Sequence, residues 1–170
     1  MKITLPDGQS IEVPAGQSLI QIAEKIGPRL AKAAIGAKVD GQLMDLNQVL
    51  SRDAVVEFIT PDSPEGLEIL RHSTAHIMAQ AVRRLFPEAR LGIGPAIEKG
   101  FYYDFDVERP FSSEELEQIE AEMRKIIKED LPFCRHEVER NQSIQDFRDQ
   151  GEKFKAELVE DLVDEQITTY

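Results

Sequence analysis

Hydrophobic and polar positions in the first 60 residues alternate in short runs separated by turn residues. Two hairpins are predicted, since Asp7-Gly8 and Asp40-Gly41 each lie between short alternating segments. Ser18 can cap a helix whose apolar residues repeat every three or four positions, and Gly27-Pro28 would end it. A Val-rich strand over 54–59 completes the segment. This order predicts a small α+β fold in which one sheet grasps one helix.

The pattern changes after residue 60. Residues 61–66, Pro-Asp-Ser-Pro-Glu-Gly, have the composition of a linker. A helical pattern follows from Leu67 to Phe86 and ends at Pro87. Further along, the pattern predicts a glycine-rich turn over 91–95, strands over 100–106 and 133–138, and helices over 113–129, 143–150 and 153–163. The prediction is two α+β domains, 1–60 and 67–170, joined by a linker at 61–66.

Composition and charge narrow the class of protein. The chain is 41% hydrophobic and 31% charged, as globular domains are, and no run approaches the ~18 apolar residues of a membrane span. Its net charge of −12 argues against a generic phosphate-binding surface. The acidity lies mostly after residue 60, where 14 Lys and Arg face 25 Asp and Glu. The single cysteine, Cys134, excludes an internal disulfide, and with no secretory signal in view we expect a cytoplasmic protein without a membrane partner.

Two of the three histidines, His72 and His76, lie four residues apart on the predicted helix. Side chains at this spacing are neighbours, so both imidazoles can converge on a water, a hydroxyl or a metal ion. Two solvated histidines on a helix face are an equally simple interpretation. A zinc site would need further ligands, which Cys134 and His136 could supply. Cys134 alone favours an inert core thiol.

Four motifs together resemble one family. Residues 1–60 resemble a TGS domain, the ubiquitin-like β-grasp module of threonyl-tRNA synthetases and some GTPases. The run from His72 to His76, His-Ser-Thr-Ala-His, is similar to the H-S-x-A-H signature of the threonyl-tRNA synthetase editing domain. The segments 91–104 and 151–155 are similar to later motifs of that family. The family's C-x-G-P-H segment is missing, so the chain resembles an N-terminal fragment with a TGS domain and most of an editing domain.

The resemblance implies a function in translation. The family attaches threonine to tRNA(Thr) using ATP, and this part resembles the region that hydrolyses mischarged Ser-tRNA(Thr). It implies no cofactor within this segment, and ATP, Mg²⁺ and Zn²⁺ for the aminoacylation core. The implied partners are the 3′ end of tRNA(Thr) and the remaining synthetase domains. The family is homodimeric through its core, so we expect this segment to be a monomer and to be inactive alone.

The resemblance also implies roles for individual residues. His72 and His76 would position a water and the ribose hydroxyls, and Lys155 would stabilise the oxyanion or contact a terminal phosphate. Tyr103, Asp104 and Gly94 would bind the terminal adenosine or the aminoacyl group. Each has a simpler alternative: Lys155 as an ordinary solvated lysine, one of Tyr102 and Tyr103 as a core residue, and Gly92 and Gly94 as turn glycines.

A competing class is a non-catalytic adaptor, with a TGS-like module and a degenerate hydrolase-like domain that binds RNA or protein. The first 60 residues offer no catalytic residue, and a passive packing or docking role is one interpretation of them. The other is a weak RNA or ligand contact through the local cluster of basic residues, Lys25, Arg29, Lys32 and Lys38.

Overall fold

The computed structural model describes residues 1–132 and 136–169. The chain divides into two compact units, Met1–Leu70 and Arg71–Tyr170. The elements of the first unit up to residue 60 are β1 (Lys2–Thr4), β2 (Ser10–Glu12), β3 (Gln17–Ser18), α1 (Leu19–Ile26), α2 (Pro28–Ala33), β4 (Gly36–Val39), β5 (Gln42–Met44), β6 (Val49–Leu50) and β7 (Ala54–Ile59).

The first unit is a β-grasp, as predicted. Its five-stranded sheet has the order β2-β1-β7-β4-β5, with β1 parallel to β7 and the other pairs antiparallel. Alternate residues of the strands face α1, and Ile3, Val39 and Val56 are fully buried against Leu19 and Ile22. The apolar repeat of the helix and the two-residue period of the strands therefore meet in one core.

Gly27-Pro28 ends α1 as predicted, but a second helix that was not predicted begins there. Pro28 is the first residue of α2, where its missing N–H costs no hydrogen bond and its fixed φ suits the helix. The same dipeptide thus stops one helix and starts the next. At the second hairpin, Asp40 and Gly41 both have positive φ, which is the geometry that the Asp-Gly signal predicts.

The long helix α3 (Pro64–Leu85) begins three residues before the predicted start, so Pro64–Gly66 belongs to the helix and not to a linker. Ser63 causes the early start, because its hydroxyl accepts a hydrogen bond from the backbone N–H of Gly66 at 3.0 Å. A Cβ at Gly66 would lie 1.9 Å from the carbonyl oxygen of Thr60, so only glycine fits. The boundary between the compact units falls inside this helix, after Leu70.

The second unit contains the rest of α3, three further helices and three pairs of short strands among the described residues. Its further elements are β8 (Arg90–Leu91), β9 (Ala96–Ile97), β10 (Gly100–Phe101), β11 (Phe105–Asp106), α4 (Ser113–Glu129), β12 (His136–Glu139), α5 (Arg140–Asp149), α6 (Lys153–Glu160) and β13 (Gln166–Thr169). β8 pairs with β11, β9 with β10, and β12 with β13, all antiparallel. Ala81 and Val82 of α3 are buried with Ile119 and Ile126 of α4.

Three predictions for the second unit need correction. The strand predicted over 100–106 is two short strands, because β10 pairs with β9 whereas β11 pairs with β8. The helix predicted to Val163 ends at Glu160. No element was predicted at the end of the chain, yet β13 pairs there with β12 over four residue pairs.

Some predictions fall outside the described residues. The strand predicted over 133–138 is described only from His136, and Cys134 lies in the part that is not described. Within the described ranges, no helix is long and apolar enough to cross a membrane.

Candidate active site

The histidine pair lies on α3, one helical turn apart. The Nε2 atoms of His72 and His76 are 2.9 Å apart, and the ring centroids are 4.6 Å apart with the planes at 77°. One ring nitrogen therefore donates the hydrogen bond and the other accepts it. The helix explains the geometry, because residues at i and i+4 stand above one another on one face. His72 is exposed and His76 is half-buried, so the pair borders solvent.

Burial and nearby positive charge favour the neutral form of His76. The pKa of His76 is lowered, first by burial, then by His72 and by the ammonium charge of Lys155. A second proton on two rings this close would add like-charge repulsion. At neutral pH His76 is therefore held in its neutral form, in which an imidazole has a basic ring nitrogen that can take a proton from a water.

A helix–helix corner places Lys155 near this pair. Gly151 has φ +76° after the end of α5, and the N–H groups of Gly151 and Glu152 bond back to the carbonyls of Arg148 and Phe147. This is a Schellman arrangement, which requires a left-handed residue at the position of Gly151. It turns the chain into α6 and directs the Glu152 side chain inward. Lys155 follows one turn later.

Lys155 is largely enclosed, unlike the solvated lysine that its sequence context alone would also allow. Its side chain is 27% exposed, and its Nζ lies 5.8 Å from the centre of the Phe147 ring and 3.6 Å from Oε1 of Glu152. Burial lowers the pKa of Lys155, Arg83 lowers it further, and Glu152 opposes both. Lys155 is thus a desolvated cation close enough to influence His76.

Two residues of this cluster were not among the predicted site residues. Arg83 extends from α3 to within 3.3 Å of Oε1 of Glu152, whose side chain is only 9% exposed. Both had a signal in the sequence: Arg83 lies seven residues after His76, on the same helix face, and Glu152 lies in the motif that ends at Lys155. The predicted site residues therefore did not include the buried carboxylate of Glu152 or the second cation, Arg83.

Tyr103 borders the same cluster. Its ring stacks on Phe105 with the centroids 4.9 Å apart. Burial raises the pKa of Tyr103, and the Glu152 charge raises it further. Of the two adjacent tyrosines, Tyr102 is exposed and Tyr103 is half-buried.

Gly94 is what allows Tyr103 to occupy this position. A Cβ on Gly94 would lie 2.1 Å from Cδ2 of the Tyr103 ring. The glycine therefore serves a close approach of an aromatic ring, in agreement with a structural role in the turn. Asp104 is exposed, and the structure assigns its backbone to the turn through hydrogen bonds with Gly92 and Ile93. It brings the Asp104 side chain to none of the other predicted site residues that it describes.

The described residues hold no group of three or more His, Cys, Asp or Glu side chains that could bind a metal ion. Two imidazoles alone do not make a zinc site, which takes three or four ligands. His136 lies on β12, and Cys134 lies outside the described residues, so the four-ligand hypothesis stays a prediction. In the first unit, Lys38 of the basic cluster pairs with Glu65 at 2.5 Å and is thereby partly neutralised.

Together these side chains provide two hydrogen-bonded imidazoles, of which His76 favours the neutral form, a desolvated cation and a buried carboxylate. This combination is suited to activating a water and stabilising an anion. Comparison with known proteins identifies a domain and relatives that this chain resembles. A family model of the TGS domain matches residues 1–60. Over the whole chain, identity is 53% with the threonine–tRNA ligase of Citrifermentans bemidjiense and 52% with that of a Geobacter species, covering 27% of each relative.

The threonine–tRNA ligase of Desulforamulus reducens is 48% identical over 167 residues, which are 98% of this chain and 26% of that relative. The chain thus spans about a quarter of the length of the curated relatives it matches. The resemblance to threonyl-tRNA synthetases is confirmed: the chain carries a TGS domain at residues 1–60 and is homologous, along its whole length, to part of a threonine–tRNA ligase.

Proposed function

We propose that this chain is the proofreading region of a threonine–tRNA ligase, and that its second unit hydrolyses tRNA(Thr) carrying serine. The observation that carries the proposal is the histidine pair, with Nε2 atoms 2.9 Å apart and the charge of Lys155 nearby. The second unit would then be an editing domain that starts within α3 and follows the TGS domain in the sequence.

A physical limit on recognition explains why such a site is needed. Serine keeps the hydroxyl of threonine and lacks one methyl group, and a contact of that size is worth only about 1–3 kcal/mol. Binding alone therefore gives too little discrimination for translation. A second site that removes the wrong amino acid supplies the missing factor.

The chemistry is hydrolysis of the ester between serine and the terminal ribose. One imidazole of the pair takes a proton from a bound water while the water oxygen bonds to the ester carbonyl carbon. The resulting tetrahedral anion then collapses, and the bond from carbon to the ribose oxygen breaks. The proton passes to the ribose oxygen, which releases serine and restores the ribose hydroxyl.

The other residues act on charge and position. The Lys155 ammonium group faces the negative charge that develops on the carbonyl oxygen, and its partial burial strengthens that interaction. The ring of Tyr103 offers a surface for the terminal adenine, since nucleobases stack on aromatic side chains. Gly94 contributes indirectly by admitting that ring. Asp104 stays a candidate for the ribose or adenosine through its exposed carboxylate.

The wider activity is part of the same proposal. Attachment of threonine to tRNA(Thr) with ATP, and the Mg²⁺ and Zn²⁺ that go with it, are assigned to no residue of this chain. The proposed partners are the 3′ end of tRNA(Thr) and further domains of the ligase, and the proposed compartment is the cytoplasm. For the TGS domain we propose a docking role, because Lys38, one of its four clustered cations, is paired with Glu65.

The test places this sequence in a complete enzyme. The 170 residues replace the matching segment of the Citrifermentans bemidjiense ligase, to which they are 53% identical, and hydrolysis of Ser-tRNA(Thr) is measured. H72A and K155M should each lower the deacylation rate about 100-fold while threonine attachment is unchanged. Loss of a general base and loss of an anion-stabilising group each cost about this much.

A matched control separates the site from its surroundings. Lys153→Met removes an exposed lysine of the same helix as Lys155, and this variant should deacylate at the unchanged rate. Full activity in H72A and in K155M would refute the proposed roles. A chimera that attaches threonine but never releases serine would refute the proofreading function itself.

A further inference from the structure

Glu152 is the most deeply buried acidic side chain of the described residues, and its burial is not explained by helix capping. Its side chain is 9% exposed. Glu152 directly precedes α6, but its carboxylate accepts no capping hydrogen bond from the backbone N–H groups of that helix. One oxygen, Oε1, faces Arg83 at 3.3 Å and Lys155 at 3.6 Å. The other oxygen, Oε2, is buried and has no hydrogen-bond partner within the described ranges. A buried carboxylate is costly, so a use for its charge is expected.

The surroundings of Lys155 point to that use. Arg83 and His76 face the ammonium group from α3, Phe147 from α5, and Tyr103 adjoins the same cluster from the loop between β10 and β11. None of these side chains carries a negative charge at neutral pH. Glu152 is therefore the group that compensates an ammonium ion taken largely out of water and placed near a second cation.

Arg83 makes the arrangement asymmetric. Its side chain is 56% exposed, so water screens it and it can leave the carboxylate at little cost. Lys155 is 27% exposed and has no such freedom. The Glu152 carboxylate is consequently shared between Arg83, which water can solvate in its place, and Lys155, which is enclosed and needs the carboxylate to compensate its charge.

We propose that Glu152 is a positioning residue that holds the Lys155 ammonium group, still charged, beside the histidine pair, with Arg83 as a competing partner. The proposal rests on the proposed function for its catalytic consequence. Its physical part concerns only the charge state of Lys155. It can be tested on the 170-residue chain without any substrate.

The first measurement is an NMR titration of the Lys155 side chain, assigned with K155M. In Glu152→Gln the ammonium group loses its opposite charge, so it should give up its proton at lower pH than in the unchanged chain. Arg83→Gln removes the competing cation, so the same group should give up its proton at higher pH. Glu157→Gln, an exposed carboxylate on the same helix, should leave the titration as it is.

The two variants shift in opposite directions, which general damage to the fold would not produce. If Glu152→Gln loses its native spectrum, the titration of Lys155 in Arg83→Gln still tests the proposal, because Arg83 is exposed and its substitution should not disturb the fold. Titration curves of Glu152→Gln and Glu157→Gln that coincide, or no upward shift in Arg83→Gln, would overturn the proposal.

The second measurement is the pH profile of Ser-tRNA(Thr) deacylation by the chimeric ligase, corrected for spontaneous hydrolysis. At about pH 9 Glu152→Gln should be about tenfold slower than the unchanged enzyme, and the difference should shrink toward about pH 7, as expected for loss of one opposite charge at this distance. A loss that is the same at every pH would mean a structural role only and would overturn the positioning role. A chimera without any deacylation would refute the proposed function and leave the titration as the test of Glu152.

Discussion

Gly94→Ala tests how closely the turn and the site are packed. The new Cβ would lie 2.1 Å from Cδ2, 2.5 Å from Cε2 and 2.8 Å from Cγ of the Tyr103 ring. Carbon atoms pack at about 3.5 Å or more, so the ring would have to move by more than about 1 Å. It cannot move freely, because it stacks on Phe105, which contacts the core of the second unit.

The cost follows from the size of this overlap. Overpacking of this kind typically costs about 1–3 kcal/mol. For a unit of about 100 residues, about 2 kcal/mol lowers the melting temperature by roughly 10 °C. Because Tyr103 borders Glu152 and Arg83, we expect the displaced ring to slow deacylation in the chimeric ligase as well.

Differential scanning calorimetry of the 170-residue chain measures the effect. Gly27→Ala is the control, since Gly27 has φ 171° and nothing within 4 Å of its Cβ position, and its melting temperature should stay as it is. In a Tyr103→Leu background, which removes the ring, Gly94→Ala should lose most of its cost. A melting temperature for Gly94→Ala within about 1 °C of the unchanged chain, or an equal cost in both backgrounds, would refute the reasoning.

Two further predictions concern the start of α4. Ser112 accepts from the N–H of Glu115 in a capping box, so Ser112→Ala should lower the free energy of unfolding in urea by about 1 kcal/mol; an unchanged urea midpoint would contradict this. The Arg109 guanidinium, then the Ser112 N–H, lower the pKa of Glu115 from 4.5 to about 2. The stabilisation that comes from this lowered pKa is present above pH 4.5 and is lost as the pH falls toward 2. Over that range Glu115→Gln should therefore lose stability less steeply than the unchanged chain. The control Glu117→Gln, at an exposed position, should follow the unchanged chain.

Local signals in the sequence predicted local structure well. Ser18 and Gly27-Pro28 bound α1 where expected, because a capping side chain and a proline act on the backbone within a few positions. Gly151 ended α5 as predicted, since its positive φ suits a residue without Cβ. The convergence of His72 and His76 also follows from spacing alone, since the helix repeat fixes the distance between residues four apart.

Predictions failed where partners distant in sequence decide the structure. The alternation over residues 100–106 predicted one strand, but its first part pairs with β9 and its last part with β8, so the structure has two short strands. β13 was missed because a short strand exists only through its partner, β12. Residues 64–66 were predicted as linker but form the first turn of α3. The error arose because Ser63, which caps this helix, was itself counted as a linker residue.

By itself, the sequence determined the β-grasp order of the first unit, the resemblance to threonyl-tRNA synthetases and the pairing of His72 with His76, all of which rest on periodicity or on contiguous motifs. Only the tertiary structure decided that Glu152 is buried between Arg83 and Lys155. Those two cations lie 72 positions apart in the sequence, and the fold brings them to one carboxylate. The physical reason is that helix periodicity and turns act over a few residues, whereas burial and charge compensation depend on which distant elements pack together.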